Sequence, residues 1–119
     1  MAAARYTAIT VDHFQHPRNV GRLAGAHAVG RVDDAASETT ISIFLRFDAE
    51  GHVEQATFRT LGCSACIAAS SVVTELLVGR DSEPTADELD AALGGLPADK
   101  RYCVELVAEA ARRALAPRP

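Results

Sequence analysis

Thr40-Ile41-Ser42-Ile43-Phe44-Leu45-Arg46-Phe47, followed after a turn by Val53-Glu54-Gln55-Ala56-Thr57-Phe58-Arg59-Thr60-Leu61, is the stretch that decides the fold class. Its alternation sends Ile41, Ile43, Leu45 and Phe47 one way and Thr40, Ser42 and Arg46 the other, the period of a half-buried strand. Asp48-Ala49-Glu50-Gly51 supplies turn chemistry between the two runs, so they read as an antiparallel hairpin. Ala56 and Phe58 share a face that strict alternation denies to Val53, which predicts a bulge.

Toward the carboxyl end, Gly62 closes the hairpin, and Ile67, Val72, Val73, Leu76 and Leu77 then recur at helical spacing. A helix is predicted over residues 63–78, beginning at Cys63 and closed by Gly79. A second runs from Pro84 to Leu93, with acidic residues in its early turns, and Gly94-Gly95 breaks it. Pro97 or Asp99 opens a last helix with an apolar stripe of Cys103, Leu106, Val107, Ala110 and Ala114. Toward the amino end, residues 6–14 form a short helix with Ile9, His13 and Phe14 near one face, stopped by Pro17. The glycine-rich run from Asn19 to Asp34 reads as loops with at most an edge strand. Strands followed by helices give an α+β fold: an antiparallel sheet of about three strands with helices packed on one face.

The chain has 119 residues, enough for one domain (1–119) and too few for two cores. With 48% hydrophobic and 24% charged residues it has the composition of a folded protein. A formal charge of -4 and the lack of clustered Lys and Arg argue against nucleic acid as a partner. No stretch approaches the ~20 apolar residues that span a bilayer and no signal peptide is recognisable, so no membrane partner and a cytoplasmic location are expected. In a reducing cytosol, three cysteines read first as metal ligands or reactive thiols.

Cys63 falls between a strand end and a helix start, where unpaired amides and the helix dipole favour a thiolate. Cys103 sits near the start of the last helix, so two distant helix starts can each present a sulfur to one site. Lys100 and Arg101 beside it would favour its thiolate further; packing into the stripe with Leu106 and Val107 is the competing role. Cys66 completes a Cys-x-x-Cys, with both sulfurs on one helical face within reach of a shared metal. It is equally read as a small residue buried beneath the helix. His13, His16, His27 and His52 have no spacing that ties them to a cysteine.

Three ordered motifs carry a resemblance. They are Asp12-His13-Phe14-Gln15-His16-Pro17-Arg18-Asn19-Val20-Gly21, then Gly62-Cys63-Ser64-Ala65-Cys66-Ile67-Ala68-Ala69-Ser70-Ser71 with Thr74-Glu75, and Leu96-Pro97-Ala98-Asp99-Lys100-Arg101-Tyr102-Cys103. Over nearly its whole length the chain resembles the U-type iron-sulfur cluster scaffolds, the IscU and NifU N-terminal-like domains. The resemblance implies a cluster assembly scaffold rather than an enzyme that turns over substrate. It also implies a transient [2Fe-2S] cluster or zinc held by cysteines, an aspartate and often a histidine. The implied partners are a cysteine desulfurase, acceptor apoproteins, a second copy in a homodimer and a release chaperone, although Ala98 and Asp99 depart from the segment that chaperone binds.

The resemblance also implies where this chain departs. Ser37 stands at a cysteine position, Thr39 at the aspartate and Tyr102 at the histidine, and a hydroxyl is a poor substitute for thiolate on iron. The expected ligand set is therefore Cys63, Cys66 and Cys103, with a fourth ligand from Tyr102, Glu38, a small molecule or a second chain. A competing expectation is that Cys63 or Cys103 carries persulfide sulfur without a stable cluster. From other classes, the alternatives are a thiol-disulfide redox protein using Cys63 and Cys66 and a zinc-binding adaptor with no transfer function.

Overall fold

The computed structural model describes residues 5–117. Three strands, β1 (Ala28–Asp34), β2 (Thr39–Phe47) and β3 (Val53–Leu61), form one antiparallel sheet in the order β1-β2-β3. Helix α1 (Ala8–Gln15) precedes the sheet, and α2 (Ser64–Leu77), α3 (Ala86–Ala92) and α4 (Tyr102–Leu115) follow it, with a 3-10 turn at Ala98–Lys100. This is the expected α+β arrangement.

The alternation of β2 translates directly into burial: Thr39, Ile41, Ile43, Leu45 and Phe47 are buried, and the residues between them are half-buried. Register runs from Thr40 opposite Leu61 to Arg46 opposite Gln55, and then Phe47 pairs with Val53. The extra residue is the predicted bulge; it returns Val53 to the core face with Ala56 and Phe58. Helices α2 and α4 cover that face, α1 packs on α2, and α3 packs on α2 and α4. Among the described residues no helix covers the opposite face of the sheet, which carries Val29, Ser42, Phe44 and Arg59.

Strand β1 is an edge strand of seven residues, paired from Ala28 opposite Leu45 to Asp34 opposite Thr39. Helix α4 lies close against it. A Cβ placed on Gly30 would stand 2.0 Å from the Ala110 carbonyl oxygen and 2.4 Å from the Ala114 backbone nitrogen, so only glycine permits this approach. Arg113 also donates to the Arg31 carbonyl at 2.8 Å, occupying an acceptor on the edge strand.

Three sequence expectations are corrected in detail. In α1 the buried residues are Thr10 and His13, while Ile9 is 50% exposed. Hydrogen bonds rather than apolar contact select that face: Thr10 donates to the Leu93 carbonyl at 3.0 Å, and His13 Nδ1 pairs with Ser71 Oγ at 2.8 Å. Helix α3 starts at Ala86 rather than Pro84, because Thr85 and Glu88 form a reciprocal capping box. Leu106 is only partly buried in α4, whose buried face instead includes Val104, Ala111 and Leu115.

The first motif pins the chain between α2 and β3. The Arg18 backbone N–H donates to Ser71 Oγ at 2.9 Å, and Asn19 Nδ2 donates to Thr74 Oγ1 at 3.0 Å. The backbones of Asn19 and Gly21 then bond both polar groups of Phe58. Burial, and after it the Arg18 charge, hold the His13 imidazole below its ordinary pKa, against the raising effect of Glu75 at 3.7 Å. A folded-state value below the unfolded one means that this contribution is complete above about pH 6.5 and fades as pH falls toward the lowered value. The melting temperature is therefore expected to drop between pH 7 and 5, and His13→Gln to flatten that part of the profile.

Candidate functional site

Where β3 hands over to α2, Cys63 is the N-cap residue with an extended backbone (φ -80, ψ 169). Its carbonyl accepts the first helical bonds, from the Cys66 N–H at 3.0 Å and the Ile67 N–H at 3.1 Å. Its side chain caps nothing, which leaves the sulfur free to meet the other two cysteines. Cys66 follows in the first turn of α2, and Cys103 is the second residue of α4. Packing of α2 on α4 joins them.

The three sulfurs form a triangle: Cys63 to Cys66 is 3.7 Å, Cys63 to Cys103 is 3.5 Å and Cys66 to Cys103 is 2.8 Å. All three thiols are free. Cys66 and Cys103 are fully buried and Cys63 is partly exposed, so the triangle opens to solvent at one corner. Tyr6, Leu96 and Tyr102 pack around it, and the Tyr102 hydroxyl lies 3.8 Å from the Cys63 sulfur. Four sulfurs at about 2.3 Å from a tetrahedral metal would be roughly 3.8 Å apart. Both edges at Cys63 meet that spacing closely; the buried edge opens by roughly 1 Å to do so. The donor set fits a thiophilic ion or cluster with a position left for a further ligand.

Protonation is unequal across the triangle. Hydrogen bonds from Cys103 and Cys66, helped by the Cys66 amide and the Tyr102 hydroxyl, hold the Cys63 thiol far below its ordinary value. The Cys103 bond lowers Cys66, but the Cys63 thiolate and burial outweigh it and push Cys66 up to about 12. Cys103 is raised further, first by its bond to Cys63, then by its bond to Cys66 and by burial. The expectation that helix start and neighbouring cations make Cys103 a thiolate is thus corrected. It is fully buried, and the Arg101 guanidinium is bound to Asp87 and Asp90. For Cys63 the expected direction holds, but its sulfur neighbours contribute more than the helix amides.

The residues at the remaining positions are hydroxyls in a chain. The Ser37 hydroxyl donates to Asp34 Oδ2 at 2.5 Å, and its oxygen lies 3.0 Å from Thr39 Oγ1. Thr39 is buried, and its hydroxyl donates to the Ser37 carbonyl at 3.3 Å. A Cβ on Gly62 would approach Thr39 to 3.1 Å, so the residue before Cys63 is fitted to that side chain. Glu38 is exposed and outside the group of donors that lie within 4.8 Å of one another. Sequence reasoning missed the buried Thr39 and the packing of Tyr6. The tight Gly62 beside a β2 residue becomes visible only once register is known. Asp48, Glu50 and His52 also bring donor atoms within 4.8 Å, but Asp48 Oδ1 is already accepting the Glu50 and His52 backbone N–H groups of its turn.

A family model described as NifU-like N terminal domain matches residues 5–117. The chain belongs to this family. Among curated relatives, the iron-sulfur cluster assembly scaffold protein IscU 1 of Archaeoglobus fulgidus is 40% identical over 114 residues, covering 92% of this chain and 74% of that protein. The corresponding IscU of Haemophilus influenzae is 32% identical over 122 residues, covering 93% of both. In fold, the family member is similar to a crystal structure from Fervidobacterium islandicum described as a scaffold for the SUF system. The TM-score is 0.76 at 15% identity, over 97% of this chain and 99% of that one. Among the described residues no helix is long and apolar enough to cross a membrane.

Proposed function

We propose that this chain is an iron-sulfur cluster assembly scaffold, acting as one domain, in which Cys63, Cys66 and Cys103 hold the cargo before it passes to an acceptor apoprotein. The observation that carries this reading is the convergence of sulfurs from two segments 40 residues apart on one partly open corner. Support comes from the scaffold relatives, which favour neither a thiol-disulfide redox protein nor a zinc adaptor. The cargo is a [2Fe-2S] cluster, and zinc is the resting substitute for it; the Tyr102 oxygen, 3.8 Å from the Cys63 sulfur, is a protein donor for the fourth position.

Cys63 is the acceptor of incoming sulfur in this scheme, because it is the thiolate and the exposed corner. Its sulfur attacks the outer sulfur of a persulfide on a partner cysteine desulfurase. The S–S bond to the partner breaks, the partner leaves as thiolate, and Cys63 carries the persulfide. Cys66 and Cys103 remain protonated until a metal displaces their protons.

Anaerobic incubation with iron and sulfide, followed by desalting, elemental counting and absorption spectroscopy, tests the reading. Retention of stoichiometric iron and sulfide is expected; failure to retain either one overturns the cluster assignment. Thiolate assignment has its own test. Iodoacetamide alkylation of Cys63 is expected to be nearly flat from pH 6 to 8, whereas an ordinary thiol quickens about tenfold per unit below its pKa. A tenfold slope at Cys63 would contradict its role as acceptor.

A further inference from the structure

The helix-free face of the sheet carries a half-open groove of about 550 Å³ between β1, β3 and the segment at residues 20–22. Register places Arg31, Ser42 and Arg59 in one row across the three strands, and Arg22 joins them from the flanking segment. Strands about 4.8 Å apart put the two strand arginines roughly 10 Å from each other. Among the described residues no carboxylate lines the groove, in a chain with 16 acidic and 12 basic residues. Arg31 is shared with Asp33 at 3.0 Å, but among the described residues Arg22 and Arg59 have no carboxylate partner. Apolar surface lies between the charges: Phe44 at the centre, Val29 at 53% exposure and Leu61 at 72%. Leu61 is two residues before Cys63, so an occupant of the groove would end beside the sulfur site.

We propose that this groove docks an extended acidic segment, with apolar side chains interleaved, of a partner protein. Charge complementarity selects the acidic side chains. An inorganic anion could answer the arginines but would leave Val29, Phe44 and Leu61 in water, whereas an extended chain meets both demands when residues i, i+2 and i+4, which share one of its faces, are acidic, apolar and acidic. Carboxylates four residues apart flank the apolar side chain between them and stand roughly 13 Å apart at the backbone, within reach of arginine side chains spread on either side of Phe44. Arginine also allows two parallel bonds to each carboxylate.

A fluorescein-labelled peptide Ser-Glu-Ser-Leu-Ser-Glu-Ser, whose Glu and Leu side chains share one face when extended, is the probe, read by anisotropy at 50 and 300 mM NaCl. Binding is expected to weaken at least tenfold on Arg59→Glu and on Arg22→Glu, on replacing Glu by Gln in the peptide, and at the higher salt. Arg59→Lys is expected to lie between wild type and Arg59→Glu, and melting temperatures within a few degrees of wild type certify the folds. Unchanged binding by both charge-reversed variants, or equal affinity for the Gln peptide, overturns the proposal. Self-association abolished by Arg59→Glu would assign the groove to a second copy of the chain. Displacement of the peptide by a single-stranded oligonucleotide at lower concentration would assign it to nucleic acid; either result also overturns it. Iron and sulfide loading of Arg59→Glu is expected to match wild type, so the outcome here and the outcome at the sulfur site are read separately.

Discussion

Cys66→Ala is expected to cut the iron and sulfide retained after anaerobic reconstitution by at least tenfold. The serine at position 37 donates its one hydroxyl proton to Asp34, with Thr39 Oγ1 at 3.0 Å, and a hydroxyl engaged in that way offers iron neither charge nor a soft donor. Without it, only three sulfurs in the described chain can gather on one ion, and Cys66 is one of them. Removing it leaves Cys63 and Cys103 with Tyr102, a set with two thiolates at most. The substitution deletes one buried heavy atom, a cost of about 1 kcal/mol, so the fold survives to be assayed. Cys66→Ser is the companion: it keeps the volume but replaces the sulfur, and is expected to lose loading to the same extent. Full-strength loading in either variant would remove Cys66 from the ligand set.

Gly30→Ala carries the largest expected effect on stability. The added methyl meets backbone atoms of Ala110 and Ala114, which no side-chain rotation can move aside, so α4 must shift away from β1. Overpacking of this kind costs up to about 3 kcal/mol, and for a chain of this size that lowers the melting temperature by roughly 10–15 °C. Because α4 also brings in Cys103, the same variant is expected to load iron less completely than its residual fold would allow. A melting temperature within 2–3 °C of wild type, roughly the effect of half a kcal/mol, would mean that α4 does not approach the strand this closely.

The same glycine explains why β1 was the least legible element. A glycine inside Ala28–Asp34, beside Arg31, Asp33 and Asp34, weakens every local strand signal; pairing to β2 and the approach of α4 override it. By contrast β2 and β3 were readable because one face is buried along their whole length, and burial imprints period two on the sequence. Helix α1 was legible in extent but not in orientation: its inward residues are chosen by hydrogen bonds to Leu93 and Ser71, which leave no apolar stripe. At the site, the convergence of Cys63 and Cys103 was expected from two helix starts and from family resemblance. Their opposite protonation was not, since it arises from sulfur-to-sulfur contact and burial, which no local window contains. The arginine row belongs to the same class, as its members become neighbours only through strand register.

Helices α2 and α4 pack through apolar side chains, and near their starts they meet at Ala65, Cys66 and Cys103 with Tyr6, Leu96 and Tyr102 packed around the thiols. On the proposed ligand set, a cargo bridging Cys63 and Cys103 would act as a removable staple across 40 residues of chain. Whatever binds the folded form and not the unfolded one adds to its stability, by about 2.7 kcal/mol at a hundred times its dissociation constant. Heat resistance thus becomes a gauge of how full the carrier is, and a client that withdraws the cargo leaves behind a looser molecule, one that a protease can tell apart from its loaded counterpart.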